Sequence, residues 1–166
     1  MTLKRLSNFN MSRTTVGEER HRILYVEDDD ATWQVTERYL RDRYNIERAK
    51  NSDEALQLLR AKVFNLILLD IELSGSALDG ITLCRVLRGR PEARHAKIPV
   101  PPGLDQIPIV FVTAYSARYP KEELLAVGAD EAVTKPVDYT RLLLVSSRLL
   151  VSGVRAPNPM RRLQEP

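Results

Sequence analysis

Along the chain, short blocks of consecutive apolar residues alternate with longer stretches in which apolar residues recur every three or four positions. ILYV at 23–26, LILL at 66–69 and IVFV at 109–112 are compact runs, each ended by a polar residue. Runs of this kind suit parallel strands buried on both faces. Weaker strand signals lie at 45–48 and 131–134. Between the runs, a helical pattern covers 31–43, with Val35 and Tyr39, joined by Leu40, on its inner side and Asp29 or Asp30 as its cap. A second helix opens at Ser52, read as an N-cap, and turns Ala55, Leu58 and Leu59 inward. A third covers 80–88 with Ile81, Cys84 and Leu87 on one side, a fourth covers 120–127 and stops at Gly128, and a fifth closes the pattern at 138–151. Five strands alternating with five helices predict an α/β fold with a parallel sheet and helices on both faces. The segment 90–107 breaks the alternation. Its Pro91, Pro99, Pro101 and Pro102 exclude regular helix and predict an extended surface loop.

Composition narrows the class. At 166 residues and 43% apolar content the chain is long enough to bury one core. No apolar run approaches the length of a membrane span, and the basic N-terminal segment lacks the apolar centre of a secretory signal. A cytoplasmic protein is expected. The single cysteine, Cys84, forbids an intrachain disulfide and a zinc cluster. The net charge of +3 is unevenly placed. In 1–22, five basic residues outnumber Glu18 and Glu19 by three; in 152–166, three arginines outnumber Glu165 by two; residues 23–151 therefore carry −2. The reading is a domain at 23–151 between two flexible basic tails, 1–22 and 152–166, with no specific nucleic-acid binding and no membrane contact.

The acid of the middle is concentrated where strands end. The first strand runs into Glu27 and Asp28, the third into Asp70, the fourth into Thr113 and the fifth into Lys135. Open parallel sheets bind ligands outside the carboxyl ends of their strands, so these side chains are candidates for one site. Three carboxylates at close range repel, and Lys135 offsets only one unit of charge. Hard oxygen ligands without histidine or thiol favour Mg²⁺ or Mn²⁺. A hydroxyl and an ammonium beside them suit a tetrahedral anionic group, which points to phosphoryl chemistry with a carboxylate as nucleophile.

The motifs ILYVEDD, LILLD, FVTA and AVTKP, with 43 residues from Glu27 to Asp70 and 22 from Thr113 to Lys135, resemble the receiver domain of two-component response regulators, the CheY-like family. The resemblance covers about three quarters of the chain. It implies a five-stranded parallel sheet in the order 2-1-3-4-5. It implies Asp70 as phosphoacceptor from a histidine kinase or histidine phosphotransfer protein, and Mg²⁺ held by Glu27, Asp28, Asp70 and the backbone carbonyl of Glu72. It also implies that Thr113 and Lys135 bind the phosphoryl group, that Glu72 and Tyr115 flank its approach path, and that the Lys135–Pro136 bond is cis. The expected role is a signalling receiver rather than an enzyme, acting through contacts with another protein and leaving homodimerisation open. What remains after 151 is too short for a DNA-binding module, so a stand-alone receiver is expected.

Three features depart from the family's pattern. Ser74 stands in place of a proline in a loop about two residues longer than usual, 90–107 lengthens the interval before Thr113, and Ala132 replaces an aromatic residue three before the lysine. The altered loop after Asp70 and Ala132 motivate an alternative: a receiver-like scaffold that binds a partner through the proline-rich loop or the final helix without phosphorylation. A Mg²⁺-dependent phosphohydrolase is the third reading, weakened because Glu72 stands where its Asp-x-Asp motif would need aspartate.

Overall fold

A computed structural model describes residues 20–92, 95–114 and 118–152. Five strands, β1 (Arg22–Val26), β2 (Asn45–Ala49), β3 (Leu66–Leu69), β4 (Ile109–Thr113) and β5 (Glu131–Thr134), alternate with five helices, α1 (Asp30–Leu40), α2 (Ser52–Ala61), α3 (Gly80–Leu87), α4 (Lys121–Val127) and α5 (Tyr139–Ser152). The strands form one sheet in the order β2-β1-β3-β4-β5, all neighbours parallel. The expected fold class and strand order are both observed.

Alternation along the strands divides the core in two. Leu24 and Val26 of β1, Ile67 and Leu69 of β3 and Phe111 of β4 join Ala55, Leu59, Leu83, Leu87 and Leu124 from α2, α3 and α4. Ile23, Tyr25, Leu66, Leu68 and Val110 face the other way, against Leu40 of α1 and Leu142, Val145 and Leu149 of α5. Each Val, Leu, Ile or Phe among them, once buried, contributes roughly 1.5–3 kcal/mol by removal of apolar surface from water. All of β3 and β4 is buried, as their unbroken apolar runs require.

Two helix assignments are corrected. In α1, Val35 and Tyr39 are exposed, while Thr36 and Leu40 are buried and Trp33 is half-buried. The true inner stripe contains a threonine, which conceals it from an apolar count; Thr36 Oγ1 lies 3.4 Å from the Tyr139 hydroxyl. Tyr39 instead stacks on Tyr139 at the α1–α5 seam, ring centroids 4.2 Å apart. In α2, the cap is Asn51, whose side chain accepts from the Glu54 amide at 2.9 Å, while Glu54 Oε2 accepts from the Lys50 amide. Ser52, freed from capping, anchors the lengthened loop after β3: its Oγ accepts from the Ser76 hydroxyl and the Leu78 amide, and its amide donates to Ser76 Oγ.

The described residues of the proline-rich segment before β4 form turns and irregular backbone, with a short 3-10 turn at Leu104–Gln106. It is fastened by Arg88, which follows α3 and is buried. The guanidinium donates to the carbonyls of Gly128 (2.8 Å) and Ile107 (2.8 Å), with longer bonds to Leu104 and Asp105, and pairs with Asp130 Oδ2 at 2.9 Å. Gly128 closes α4 at φ +122°, and a Cβ there would meet Arg88 Cγ at 2.8 Å. No helix among the described residues is long and apolar enough to cross a membrane.

Candidate functional site

The carboxyl ends of β1 and β3 lie side by side in the sheet, with Val26 in register with Leu69. The next residues, Glu27, Asp28 and Asp70, therefore meet at one edge. Single carboxylate oxygens of the three all lie within 4.8 Å of one another. Glu27 is fully buried and Asp70 nearly so. Lys135 follows β5 and reaches back across the edge: its Nζ lies 2.6 Å from Glu27 Oε2 and 2.7 Å from Asp70 Oδ2. The Lys135–Pro136 peptide is cis, as expected. Glu27, Asp28, Asp29, Thr32, Asp70, Glu72, Ser74, Ala114 and Lys135 line a cleft of about 310 Å³. A second depression of about 410 Å³ adjoins it, sharing Glu72 and Ser74 and extending to Asp79, Arg118 and Tyr119.

Thr113 is buried at the end of β4, and its carbonyl accepts from the Lys135 amide at 2.9 Å. Its chain neighbour Ala114 lines the cleft. Glu72 also lines it, and Tyr115 lies outside the described residues. The five strand-end residues thus belong to one edge, and four of them line the cleft directly.

Local chemistry fixes each group. The Tyr25 hydroxyl, buried beneath the cleft, donates to Glu27 Oε2 at 2.8 Å, and the Asp29 amide donates to Glu27 Oε1 at 3.0 Å. Burial first, and then the Glu27 carboxylate beside it, push the Tyr25 phenol well above its ordinary range. Asp70 Oδ1 accepts from the Ile71 amide at 2.7 Å. Burial would lower the Lys135 ammonium, but its hydrogen bonds to Asp70 and Glu27 and their charges outweigh that and raise its pKa. Gly80 lets α3 approach the site: a Cβ there would stand 2.0 Å from the Asp70 carbonyl oxygen. Asp29 caps α1, accepting from the Thr32 amide, which lowers its pKa. Asp30 takes Arg48 and Lys50, which lower its pKa too.

Three contributors were missed by sequence reasoning. Ser74 donates its backbone amide to Asp28 Oδ2 at 3.1 Å, a bond that proline at this position could not make. Tyr25 supports Glu27, and its phenol in an otherwise aliphatic strand was the available signal. Arg48 of β2 grips the loop carrying the acid pair, and a charged residue inside a short strand was the corresponding clue.

Two negative charges remain once Lys135 has offset one of three. The donors are all oxygen, and the cleft has room beside them for a small hydrated cation and a tetrahedral anion. Such a donor set fits Mg²⁺, which keeps several waters and takes few carboxylates.

The model of the response regulator receiver domain matches residues 23–146. The chain is 33% identical over 118 residues to Response regulator PleD of Caulobacter vibrioides, covering 70% of this chain and 23% of that protein. It is 35% identical over 117 residues to the transcriptional regulatory protein YrkP of Bacillus subtilis, covering 70% of this chain and 43% of that one. The chain thus spans less than half the length of either relative. Among solved structures, the signal receiver domain of a signal transduction histidine kinase from Syntrophus aciditrophicus superposes with a TM-score of 0.65 at 30% identity, covering 80% of this chain and 91% of that one. With the sheet order, the acid cluster and the family match in agreement, this chain belongs to the response regulator receiver domain family.

Proposed function

We propose that the protein is a phosphorylatable receiver that accepts a phosphoryl group on Asp70 from the phosphohistidine of a histidine kinase or histidine phosphotransfer protein, and signals in the cytoplasm through contacts with a further protein. The observation that carries this reading is three carboxylates with one ammonium in a shallow cleft at the carboxyl edge of the sheet. A carboxylate oxygen of Asp70 forms a bond to phosphorus as the P–N bond of the donor breaks, and the departing imidazole keeps the electron pair. Glu27, Asp28, Asp70 and the carbonyl of Glu72 would hold Mg²⁺, which supplies charge neutralisation for the transferring group. Lys135 is already poised against Asp70 and would exchange part of that contact for a phosphoryl oxygen. The Thr113 hydroxyl would take another. Hydrogen bonds from the Tyr25 hydroxyl and the Asp29 amide fix the Glu27 carboxylate in the cluster.

The protein incubated with Mg²⁺ and acetyl phosphate should gain one phosphoryl group by intact mass, and Asp70→Asn should gain none. An adduct that persists in Asp70→Asn removes the assignment. A second reading, a scaffold that binds its partner without phosphate, draws on Ala132: it is buried in register with Phe111, at the position where the family pattern that the sequence resembles has an aromatic residue. Partner affinity unchanged in Asp70→Asn would favour it.

A further inference from the structure

β1 ends at Val26 and α1 begins at Asp30; of the residues between them, Asp29 gives its carbonyl to the Trp33 amide, which leaves the carbonyls of Glu27 and Asp28 in need of donors. Arg48, in register with Tyr25 on the neighbouring strand β2, fills that need. Its Nε donates to the Glu27 carbonyl at 2.7 Å, one terminal nitrogen to the Asp28 carbonyl at 2.7 Å, and the other to Asp30 Oδ1 at 2.5 Å. The side chain is 12% exposed and lies 5.8 Å from the centre of the Trp33 ring. One planar fork thus spans the residues that carry two of the three clustered carboxylates and the first residue of α1.

We propose that Arg48 is a positioning residue for the acid pair, holding the Glu27 and Asp28 peptide groups so that their carboxylates converge with Asp70 before a cation arrives. This rests on the receiver reading and deepens it. Two effects of Arg48 on a bound cation oppose each other. Its positive charge repels Mg²⁺, whereas its grip on the loop preorganises the ligands. Asp30, shared with Lys50, screens the Arg48 charge at contact distance, and in this proposal the grip outweighs the repulsion left over. Groups that orient metal ligands from behind change affinity by roughly 10–100-fold when removed. A lysine would keep the charge but could not serve three acceptors in one plane.

The test is Mg²⁺ titrated calorimetrically into the full chain, for the wild type, Arg48→Gln, Arg48→Lys and the charge-balanced double variant Arg48→Gln with Asp30→Asn. Urea unfolding without Mg²⁺ confirms that each is folded. All three variants should bind Mg²⁺ about 10–100-fold more weakly than the wild type. Arg48→Gln binding as well as or better than the wild type would mean that charge repulsion, not the grip, governs the site, and would overturn the proposal. So would wild-type affinity in the double variant or in Arg48→Lys. If Arg48→Gln does not fold, Arg48→Lys, which retains the stem and the charge, decides the matter by the same comparison. A wild type that takes up neither Mg²⁺ nor a phosphoryl group sinks the receiver reading itself, and this proposal with it. A wild type that does both, with unaffected variants, sinks the proposal alone.

Discussion

Among the described residues, two cation–carboxylate clusters lie in buried surroundings, and they are built on opposite terms. Beneath the proline-rich segment, Arg88 faces one carboxylate, Asp130, and four backbone carbonyls, while Asp130 Oδ2 also accepts from the Ile109 amide at 2.9 Å. Here the Arg88 charge meets the Asp130 charge directly and both are enclosed. At the carboxyl edge, Lys135 faces Glu27 and Asp70 with Asp28 close by, one positive charge among three negative ones, open to a cleft. A balanced, enclosed pair of this kind serves to hold parts of the chain together. The unbalanced, open cluster stores a demand for a cation and is the one suited to chemistry. Burial alone does not separate the two roles; charge balance does.

The largest expected effect breaks the balanced cluster. Asp130→Asn leaves the Arg88 charge buried without its counter-ion and should cost about 3–5 kcal/mol in urea unfolding. Asp70→Asn, measured in the same way without Mg²⁺, should cost less than about 1 kcal/mol or even stabilise, because it relieves like-charge repulsion. Equal losses in the two variants would erase the distinction.

Alkaline pH probes the open cluster next. Tyr25 and Lys135 are both raised above their ordinary values of 10.0 and 10.5. The folded protein therefore keeps protons that the unfolded chain has released, and the stability these groups contribute is complete below about pH 10 and falls as pH rises beyond it. Unfolding midpoints followed upward from pH 9 should decline, and Tyr25→Phe should flatten the decline. A slope unchanged by Tyr25→Phe would separate the phenol from the effect.

The smallest effect concerns the lengthened loop. Ser74→Pro deletes the amide that donates to Asp28 Oδ2 and should lower stability by roughly 1 kcal/mol, the net worth of one such hydrogen bond. Unfolding at neutral pH reads it, and no loss at all would show that the loop contributes nothing to orienting Asp28.

These clusters also mark what the sequence could reveal. Glu27, Asp70, Thr113 and Lys135 were legible because each stands where an apolar run stops, and a parallel sheet sends such boundaries to one edge. β5 was found at its observed bounds, and β3 likewise. Arg88 was not legible, since its partners lie 16 to 42 residues further along the chain and no local pattern announces them. Arg48 was hidden in the same way, its acceptors being brought beside it by strand pairing. In α1 the inner stripe passed through Thr36, a polar residue made tolerable by Tyr139, so counting apolar positions placed Leu40 correctly but turned Val35 and Tyr39 inward in error. Ser52 was assigned to the task its residue type prefers, whereas Asn51 with Glu54 three residues on forms the stronger capping pair.

Trp33 is the chain's sole tryptophan, and it sits between the Arg48 guanidinium and the Tyr25 ring, whose centre is 6.4 Å away. The indole therefore abuts both supports of the acidic edge without forming part of it. Any rearrangement of those supports alters the surroundings of the chain's lone indole, whose emission, excited apart from the six tyrosines, reports it without a label.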